Sequence, residues 1–143
     1  MPAKKIYLEI LTQEKQVYKG EADIVLAPGY DGQIGILVNH VNMLTKLSGG
    51  ELFIISGPSM TVLAITGGLL DVHNNQVTIL ADNAVRADQI DIAVVEAAKR
   101  KAEEALREKL SDKEFAIASA DLRRAVLELK IAKKRRYHYQ TSL

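Results

Sequence analysis

Residues 77–91, VTILADNAVRADQID, mark the point at which the chain changes its pattern. Before them, apolar residues alternate with polar ones or form short runs, as in residues 6–10 (IYLEI), which is typical of β-strands. After them, glycine and proline are absent and apolar residues recur every three or four positions, which is typical of α-helices. We therefore predict two segments, residues 1–86 and residues 87–143.

Turn-forming residues separate the predicted strands, as in residues 28–32 (PGYDG), 48–50 (SGG) and 56–58 (SGP). Asn74 and Asn75 lie between two apolar runs and predict a two-residue hairpin turn. Many short strands with no helix between them favour an antiparallel β-sandwich or barrel over a parallel sheet.

Two capping signals predict the helices of the second segment. Residues 88–91 (DQID) offer a cap and early acidic residues at the start of a first helix. Ser111, followed three positions later by Glu114, forms a capping box that opens a second helix. The predicted fold is α+β: an antiparallel β-sandwich, then an antiparallel two-helix hairpin that ends near Arg136, with a frayed tail after Tyr137.

Small residues dominate the predicted contact seam of this hairpin. Opposite charges four positions apart, such as Lys99 and Glu103, support each helix. Because an alanine side chain buries little area, at about 25 cal/mol per Å², such a seam predicts that these stable helices are weakly docked. The alternative, alanines that allow close packing in a rigid hairpin, stays open. The seam positions are Val95, Ala98, Ala102, Ala105, Phe115, Ala118, Leu122, Ala125, Leu129 and Ala132.

Composition excludes several classes of protein. The absence of cysteine removes disulfides, thiol catalysis and thiolate metal sites. The sequence has no apolar run near the about 20 residues that a membrane-spanning helix needs, and its start, MPAKK, shows no apolar leader, so we expect an intracellular protein.

Charge is distributed unevenly. Residues 1–87 carry six basic and eight acidic residues, and residues 88–143 carry thirteen and ten. From Leu122 onward, Glu128 is the single acidic residue, and the seven basic ones are Arg123, Arg124, Lys130, Lys133, Lys134, Arg135 and Arg136. This end predicts an acidic partner. It also keeps an alternative open, a basic helical hairpin that binds nucleic acid.

An enzyme is the least favoured class. His40 and His73 have no catalytic partner set nearby in sequence, and the glycines at 29, 32 and 35 are not followed by the Lys-Ser/Thr pair or the helix of a phosphate loop. We predict no catalytic residue, no metal site and no cofactor.

Three stretches resemble the signatures of one family. Residues 29–40, GYDGQIGILVNH, resemble a Gly-rich turn followed by G-I-L-P-N-H. Residues 66–72 (TGGLLDV) and 77–86 (VTILADNAVR) resemble S/T-G-G-x-L-x-V and V-T-I-L-A-D-x-A-x-R. These are the patterns of ε subunits of bacterial-type F-type ATP synthases, and the chain is identified as a member of that family.

The resemblance implies a non-catalytic rotor subunit of a proton-translocating ATP synthase. In the family, the sandwich binds the γ subunit and rests on the polar loops of the c-ring. The two helices either fold on the sandwich or extend along γ, where basic residues meet an acidic segment of the catalytic β subunits and block ATP hydrolysis. The implied location is the cytoplasmic face of the cell membrane, as a peripheral part of the complex.

The resemblance also implies contact residues. Asp31 and Gln33 match the positions that face the c-ring, and His40 matches the family's loop histidine. Gln33 is uncharged where some members carry a carboxylate, Val38 replaces a proline, and residues 41–42 (VN) replace Ala-Pro. For the contact with the β subunits we predict Arg123, Arg124, Lys130, Lys133 and Lys134.

A nucleotide site is only partly retained. Some members bind ATP through I/L-D-x-x-R-A on the first helix and arginines on the second. Here Ile90, Asp91 and Arg124 match, but Val94 stands at an arginine position and Glu128 replaces another arginine. Because triphosphates need such charge-assisted bonds, we predict weak or absent ATP binding.

Overall fold

A computed structural model describes residues 4–141 of the chain, with side chains described up to residue 135. The chain forms two compact units that divide after Arg86. The first is built of strands and the second of helices, which confirms the predicted α+β class. Within the described residues, no helix is long and apolar enough to cross a membrane.

Ten strands make up the first unit. They are β1 (Ile6–Leu11), β2 (Gln16–Ala22), β3 (Ile24–Gly29), β4 (Gly32–Leu37), β5 (Met43–Leu47), β6 (Gly50–Ser56), β7 (Ser59–Ile65), β8 (Gly68–His73), β9 (Gln76–Ala81) and β10 (Ala84–Arg86).

The strands form two layers. The hydrogen-bonded order is β10-β7-β6-β3-β5-β8-β9-β1-β2, with β4 added to β3. The two halves of this path join through a single pair, Gly29 opposite Leu47. The ladders are antiparallel except that of β1 with β9, which is parallel and aligns Leu8 with Val77. The residue pattern of a strand does not encode whether it pairs parallel or antiparallel, because the path of the chain between the two strands decides this.

Alternation in the strands fills the core. In β1, for example, Ile6, Leu8 and Ile10 are at most 2% exposed, whereas Tyr7 is 55% exposed. The turn between β8 and β9 forms as predicted, since Asn74 and Asn75 have φ values of 47° and 63°, suited to a two-residue hairpin. The other large, fully buried side chains of the unit are Val25, Ile36, Leu52, Ile54, Leu63, Ile65, Leu70 and Ile79.

Both predicted helix starts are confirmed. After a short 3₁₀ turn (Ala87–Gln89), helix α1 spans Ile92–Leu106, and the Asp91 carboxylate accepts the backbone N–H groups of Ala93 and Val94. Helix α2 spans Asp112–Thr141, and Ser111 Oγ accepts the N–H of Glu114 at 3.2 Å. The predicted end near Arg136 was wrong, because the helix continues through Thr141 and no glycine or proline interrupts it.

The seam between the helices is narrower than predicted. Its centre follows a spacing of seven residues, with Val95 and Ala102 buried on α1 and Ala118, Ala125 and Ala132 buried on α2. Leu129 is also buried. Two predicted members were wrong: Ala98 is exposed and Phe115 is 56% exposed. Both side chains lie beside the row of residues spaced by seven, at the rim of the seam, where the facing helix does not cover them.

Candidate functional site

The turn between β3 and β4 projects Asp31 into solvent. Tyr30 is 77% exposed and Asp31 and Gln33 are also exposed. Gly29 and Gly32 make this tight turn possible: a Cβ on Gly29 would lie 2.6 Å from the Gly32 carbonyl, and Gly32 has a φ of 128°. The structure thus brings the two predicted ring-contact residues, Asp31 and Gln33, together at one tip.

Backbone hydrogen bonds fix this tip to the neighbouring strands. Ser48 donates its N–H to the Pro28 carbonyl at 2.8 Å, and Tyr30 donates its N–H to the Lys46 carbonyl at 3.3 Å. The tip is therefore held on a supported scaffold, as a contact surface requires.

His40 lies at the opposite end of β4 from this tip. The six residues of the strand, at about 3.3 Å each, separate the two ends by about 20 Å. His40 is half-buried, and its Nδ1 lies 2.7 Å from the Val41 carbonyl oxygen. The structure does not bring His40 together with Asp31 and Gln33, so these residues do not form one contact surface.

A group of asparagines surrounds His40, and no motif in the sequence indicated a site among them. Asn39, at a φ of 66°, donates its N–H to Asn75 Oδ1 at 2.6 Å, and Asn74 donates its N–H to Asn42 Oδ1 at 3.2 Å. Asn39, Asn74 and Asn75 line a polar depression of about 400 Å³ together with Lys4 and His40. The sequence signal for this cluster was the presence of asparagines next to predicted turns, since asparagine tolerates positive φ.

An apolar stripe crosses the outer face of the layer that contains β8, β9 and β1. Leu69 pairs with Leu80, and Leu80 pairs with Leu11. Leu69 is 42% exposed and Leu80 is 51% exposed. Adjacent exposed leucines on neighbouring strands are typical of a protein-binding surface.

Three of the five predicted basic contact residues share one face of α2. Arg123, Lys130 and Lys134 are spaced by seven and four positions, so they lie along the same side of the helix, and all three are exposed. We call this set the basic face.

The other two basic residues form ion pairs within the hairpin. Arg124 Nε donates to Glu128 Oε1 at 2.9 Å, and Glu128 is only 9% exposed. Lys133 Nζ lies 3.7 Å from Glu96 Oε1 on α1. The spacing of four residues could have predicted the first pair, but the second depends on the register between the helices, which the sequence pattern did not give.

A groove of about 660 Å³ runs between α1 and α2, and of the three retained nucleotide residues only Arg124 lines it. Val94 and Arg124 line it, together with Lys101 and the acidic residues Asp121 and Glu128. Asp91 is engaged as the N-cap of α1, and Ile90 packs against the cluster of Val95, Ala125 and Leu129. The lining thus carries more acidic than basic side chains, with Glu108 and Glu114 included.

Two further observations complete the chemistry of the described residues. Residues 4–135 hold no group of three or more His, Asp or Glu side chains placed to bind a metal ion. In the sandwich, a hydrogen bond from Lys5 and another from the Gly57 N–H lower the pKa of the Asp23 carboxyl. Through these two hydrogen bonds, Asp23 links the start of β1 to the turn between β6 and β7, which is a structural role.

Two family models cover most of the chain. Residues 5–87 match the ATP synthase delta/epsilon chain, beta-sandwich domain, and residues 88–133 match the long alpha-helix domain of the same family.

Two relatives named ATP synthase epsilon chain are similar in sequence to this chain over nearly their full length. The ATP synthase epsilon chain of Herpetosiphon aurantiacus is 45% identical over 131 residues, covering 92% of this chain and 96% of the relative. That of Syntrophobacter fumaroxidans is 46% identical over 132 residues, covering 92% and 98%.

Solved structures share the fold at low identity. A chain of the Euglena gracilis mitochondrial ATP synthase aligns with a TM-score of 0.63 and 18% identity, covering 94% of this chain and 81% of that one. A chain of the Tetrahymena thermophila mitochondrial ATP synthase central stalk and c-ring aligns at 0.61 and 18%, covering 90% and 97%.

Proposed function

Because this chain belongs to the ATP synthase delta/epsilon chain family in both of its segments, we propose that it is a non-catalytic rotor subunit of a proton-translocating F-type ATP synthase. The observation that carries the proposal is the family match of sandwich and hairpin in order along one chain, at over 40% identity to epsilon chains. As part of that complex it would be peripheral, at the cytoplasmic face of the cell membrane.

The sandwich is the coupling part of this proposal. The anchored tip with Asp31 and Gln33 would contact the polar loops of the c-ring, and a separate surface would bind the γ subunit. The separation of His40 from the tip favours two surfaces over one. The exposed stripe of Leu69 and Leu80 is a candidate for the γ contact, because apolar area supplies most of the affinity of a permanent interface.

The hairpin is the regulatory part. Its basic face would meet the acidic segment of the catalytic β subunits when the helices extend along γ, and hydrolysis of ATP would then stop. In the described conformation Arg124 and Lys133 are paired with Glu128 and Glu96. The separation of the two helices would break the pair of Lys133 with Glu96 and free Lys133 for the partner. The electrostatic contact would therefore grow as the hairpin opens.

ATP is not part of this regulation in our proposal. A triphosphate in the groove would meet Glu128 and Asp121, and the guanidinium of Arg124 is already engaged by Glu128. Binding would require that this ion pair break with no second arginine to compensate.

Reconstitution tests the proposal. We expect the chain to co-purify with a γ subunit and, when added to an ε-depleted ATP synthase, to lower its rate of ATP hydrolysis. Absence of γ binding would contradict the rotor assignment, and γ binding without any effect on hydrolysis would contradict the brake alone.

The same preparation tests the nucleic-acid alternative. We expect any affinity for duplex DNA to be weak and to disappear at moderate salt, as for a nonspecific basic surface. Tight DNA binding by a chain that ignores γ would favour the alternative.

A further inference from the structure

The strands at the edges of the sandwich differ in how they are protected from pairing with other chains. Natural proteins block free strand edges with charges, bulges or very short strands. At one end of the strand path, β2 carries Lys19 and Glu21 and has an irregular register with β1 near Leu11. At the other end, β10 has only three residues.

Strand β4 has none of these protections. Its six residues, GQIGIL, include no charge and no proline, and its register with β3 is unbroken from Gly29–Gly32 to Ile24–Leu37. In the part of the chain that the structure describes, β4 pairs with β3 and with no other strand. Gln33, Gly35 and Leu37 are exposed, the last at 53%.

The hydrogen bonds of β3 show which backbone groups of β4 face outward. Pro28 and Tyr30 bond toward Ser48 and Lys46, so the alternate residues of β3, 25, 27 and 29, bond to β4. Their partners in the register are residues 36, 34 and 32. The N–H and C=O groups of Gln33 and Gly35 and the N–H of Leu37 therefore point to the free edge, while the Leu37 carbonyl accepts the N–H of His40.

This edge is complementary to itself. In an antiparallel pair centred on Gly35, the two Gly35 residues would exchange both of their backbone hydrogen bonds, and each Leu37 N–H would donate to the Gln33 carbonyl of the other copy. Ile34 would face Ile36 of the other copy, apolar against apolar, on the core side of the sheet. No charge opposes its own copy across the two-fold axis, and the missing side chain at Gly35 leaves the axis open.

We propose that the free edge of β4 pairs with β4 of a second copy of this chain, which joins two sandwiches through one continuous sheet. A single strand pair buries less area than a stable interface of about 1,000 Å² needs, so the dimer is weak and forms only at high protein concentration.

Pairing has one consequence that rests on the proposed function. Gln33 lies within the paired strand and Asp31 lies next to it, so the dimer and the ring contact exclude each other. Chains paired through β4 could not contact the c-ring until the dimer dissociates, either on dilution or as a chain joins the complex. The pairing itself does not depend on that function and is tested on the isolated chain.

Cross-linking at the predicted axis tests the register. The chain has no cysteine, so Gly35→Cys introduces a single thiol, and a hydrogen-bonded antiparallel pair places its Cα atoms about 5.5 Å apart, within disulfide range. We expect oxidation of the full-length G35C variant to give a covalent dimer in a concentration-dependent way. Gln16→Cys, on the protected edge strand β2, is the matched control and should give much less.

A charged variant tests the edge without cross-linking. A Cβ on Gly35 would meet Leu26 Cδ2 at an ordinary 3.5 Å, so Gly35→Lys should fold. We expect sedimentation at increasing concentration to show dimer for the wild type and for the control Gln16→Lys, and monomer for G35K, because two lysines would oppose each other at the axis. The amides of Gln33, Gly35 and Leu37 should gain exchange protection in the wild type at high concentration.

Three results would overturn the proposal. The first is a wild-type chain that stays monomeric at every concentration, and the second is a dimer that G35K does not weaken. The third is edge amides that gain protection only when another protein is added, which would assign the edge to a strand of that protein.

Discussion

The sandwich and the hairpin differ in what holds each of them together. The sandwich buries large branched side chains to 2% exposure or less, such as Ile10, Leu63 and Ile79. The centre of the helix seam consists mainly of alanines that remain 3% to 7% exposed, with Ala125 and Ala118 at the extremes. At about 25 cal/mol per Å² of apolar area, the same number of buried residues stabilises the hairpin far less.

This difference indicates which part of the molecule opens at the lower cost in free energy. Structural units open with free energies that follow their buried apolar area, so the hairpin should open without disturbing the sandwich. A coupling part that stays rigid and a regulatory part that opens are what a rotor subunit with a brake requires. The ion pair of Lys133 with Glu96 adds little to the hairpin, because exposed pairs contribute about 0–1 kcal/mol.

Removal of the hairpin should have the largest effect. Truncation after Arg86 leaves a sandwich with its own core, so we expect assembly and proton coupling to persist while ATP hydrolysis by the complex rises several-fold. Hydrolysis and ATP-driven proton pumping in reconstituted vesicles measure both. A truncated chain that fails to assemble, or a complex with unchanged hydrolysis, would contradict the division of roles.

Neutralisation of the basic face should have the next largest effect. The triple change of Arg123, Lys130 and Lys134 to alanine removes three charges, each worth about 0.2–1 kcal/mol at an exposed contact, and should relieve inhibition several-fold with a weaker salt dependence. The matched control is the triple change of Arg100, Lys109 and Lys113, which are also exposed. Equal loss of inhibition in both variants would show that net charge, and not this face, matters.

Nucleotide binding should be absent and recoverable. We expect calorimetric titration of the chain with ATP to show no saturable binding in the micromolar range. The double change Val94→Arg and Glu128→Arg supplies two charge-assisted donors, each worth about 1.5–3 kcal/mol, and should raise the affinity by at least tenfold per arginine. Micromolar binding by the unmodified chain would contradict the assignment of Glu128 as the residue that closes the site to phosphate.

Filling the groove should strengthen the hairpin. Ala98 is exposed but lines the groove, so Ala98→Leu should bury apolar area between the helices, worth about 1 kcal/mol, and slow helix opening. Ala97→Leu, on the exposed neighbour, has the same effect on helix propensity and is the control. Inhibition of hydrolysis should weaken in A98L alone; inhibition that strengthens would reverse the account of opening.

The smallest effect concerns the sandwich. Because the folded state lowers the pKa of Asp23, its pairing with Lys5 stabilises the fold above the ordinary carboxyl pKa, and this stability is lost as pH falls through the lowered value. Asp23→Asn should therefore lower the melting temperature near pH 7 and leave it unchanged in strong acid. A pH-independent cost would mean that the ion pair is not the cause.

Local chemistry made much of the fold predictable. The positive φ of Asn74 and Asn75, the cap at Asp91 and the box at Ser111 follow from what each side chain does to its own backbone. The parallel ladder of β1 with β9 and the ion pair of Glu96 with Lys133 depend on how distant segments align, which residue spacing does not encode.

The candidate site shows the same limit. The tip residues Asp31 and Gln33 are adjacent in sequence and lie together, whereas His40 falls at the far end of an extended strand. Residues 29–40, which match a single family motif, therefore lie at two separate places in the structure. The sequence shows that Glu128 stands at an arginine position of the family, but only the structure shows that Glu128 is buried and engages the guanidinium of Arg124.

Native-state hydrogen exchange of the full-length chain compares the two parts most directly. We predict that amides in β1 and β9 exchange only through global unfolding, whereas amides of α1 and α2 exchange through an opening of much lower free energy that denaturant barely changes. Equal protection in strands and helices would contradict the account, because it would show a hairpin that opens only when the sandwich unfolds.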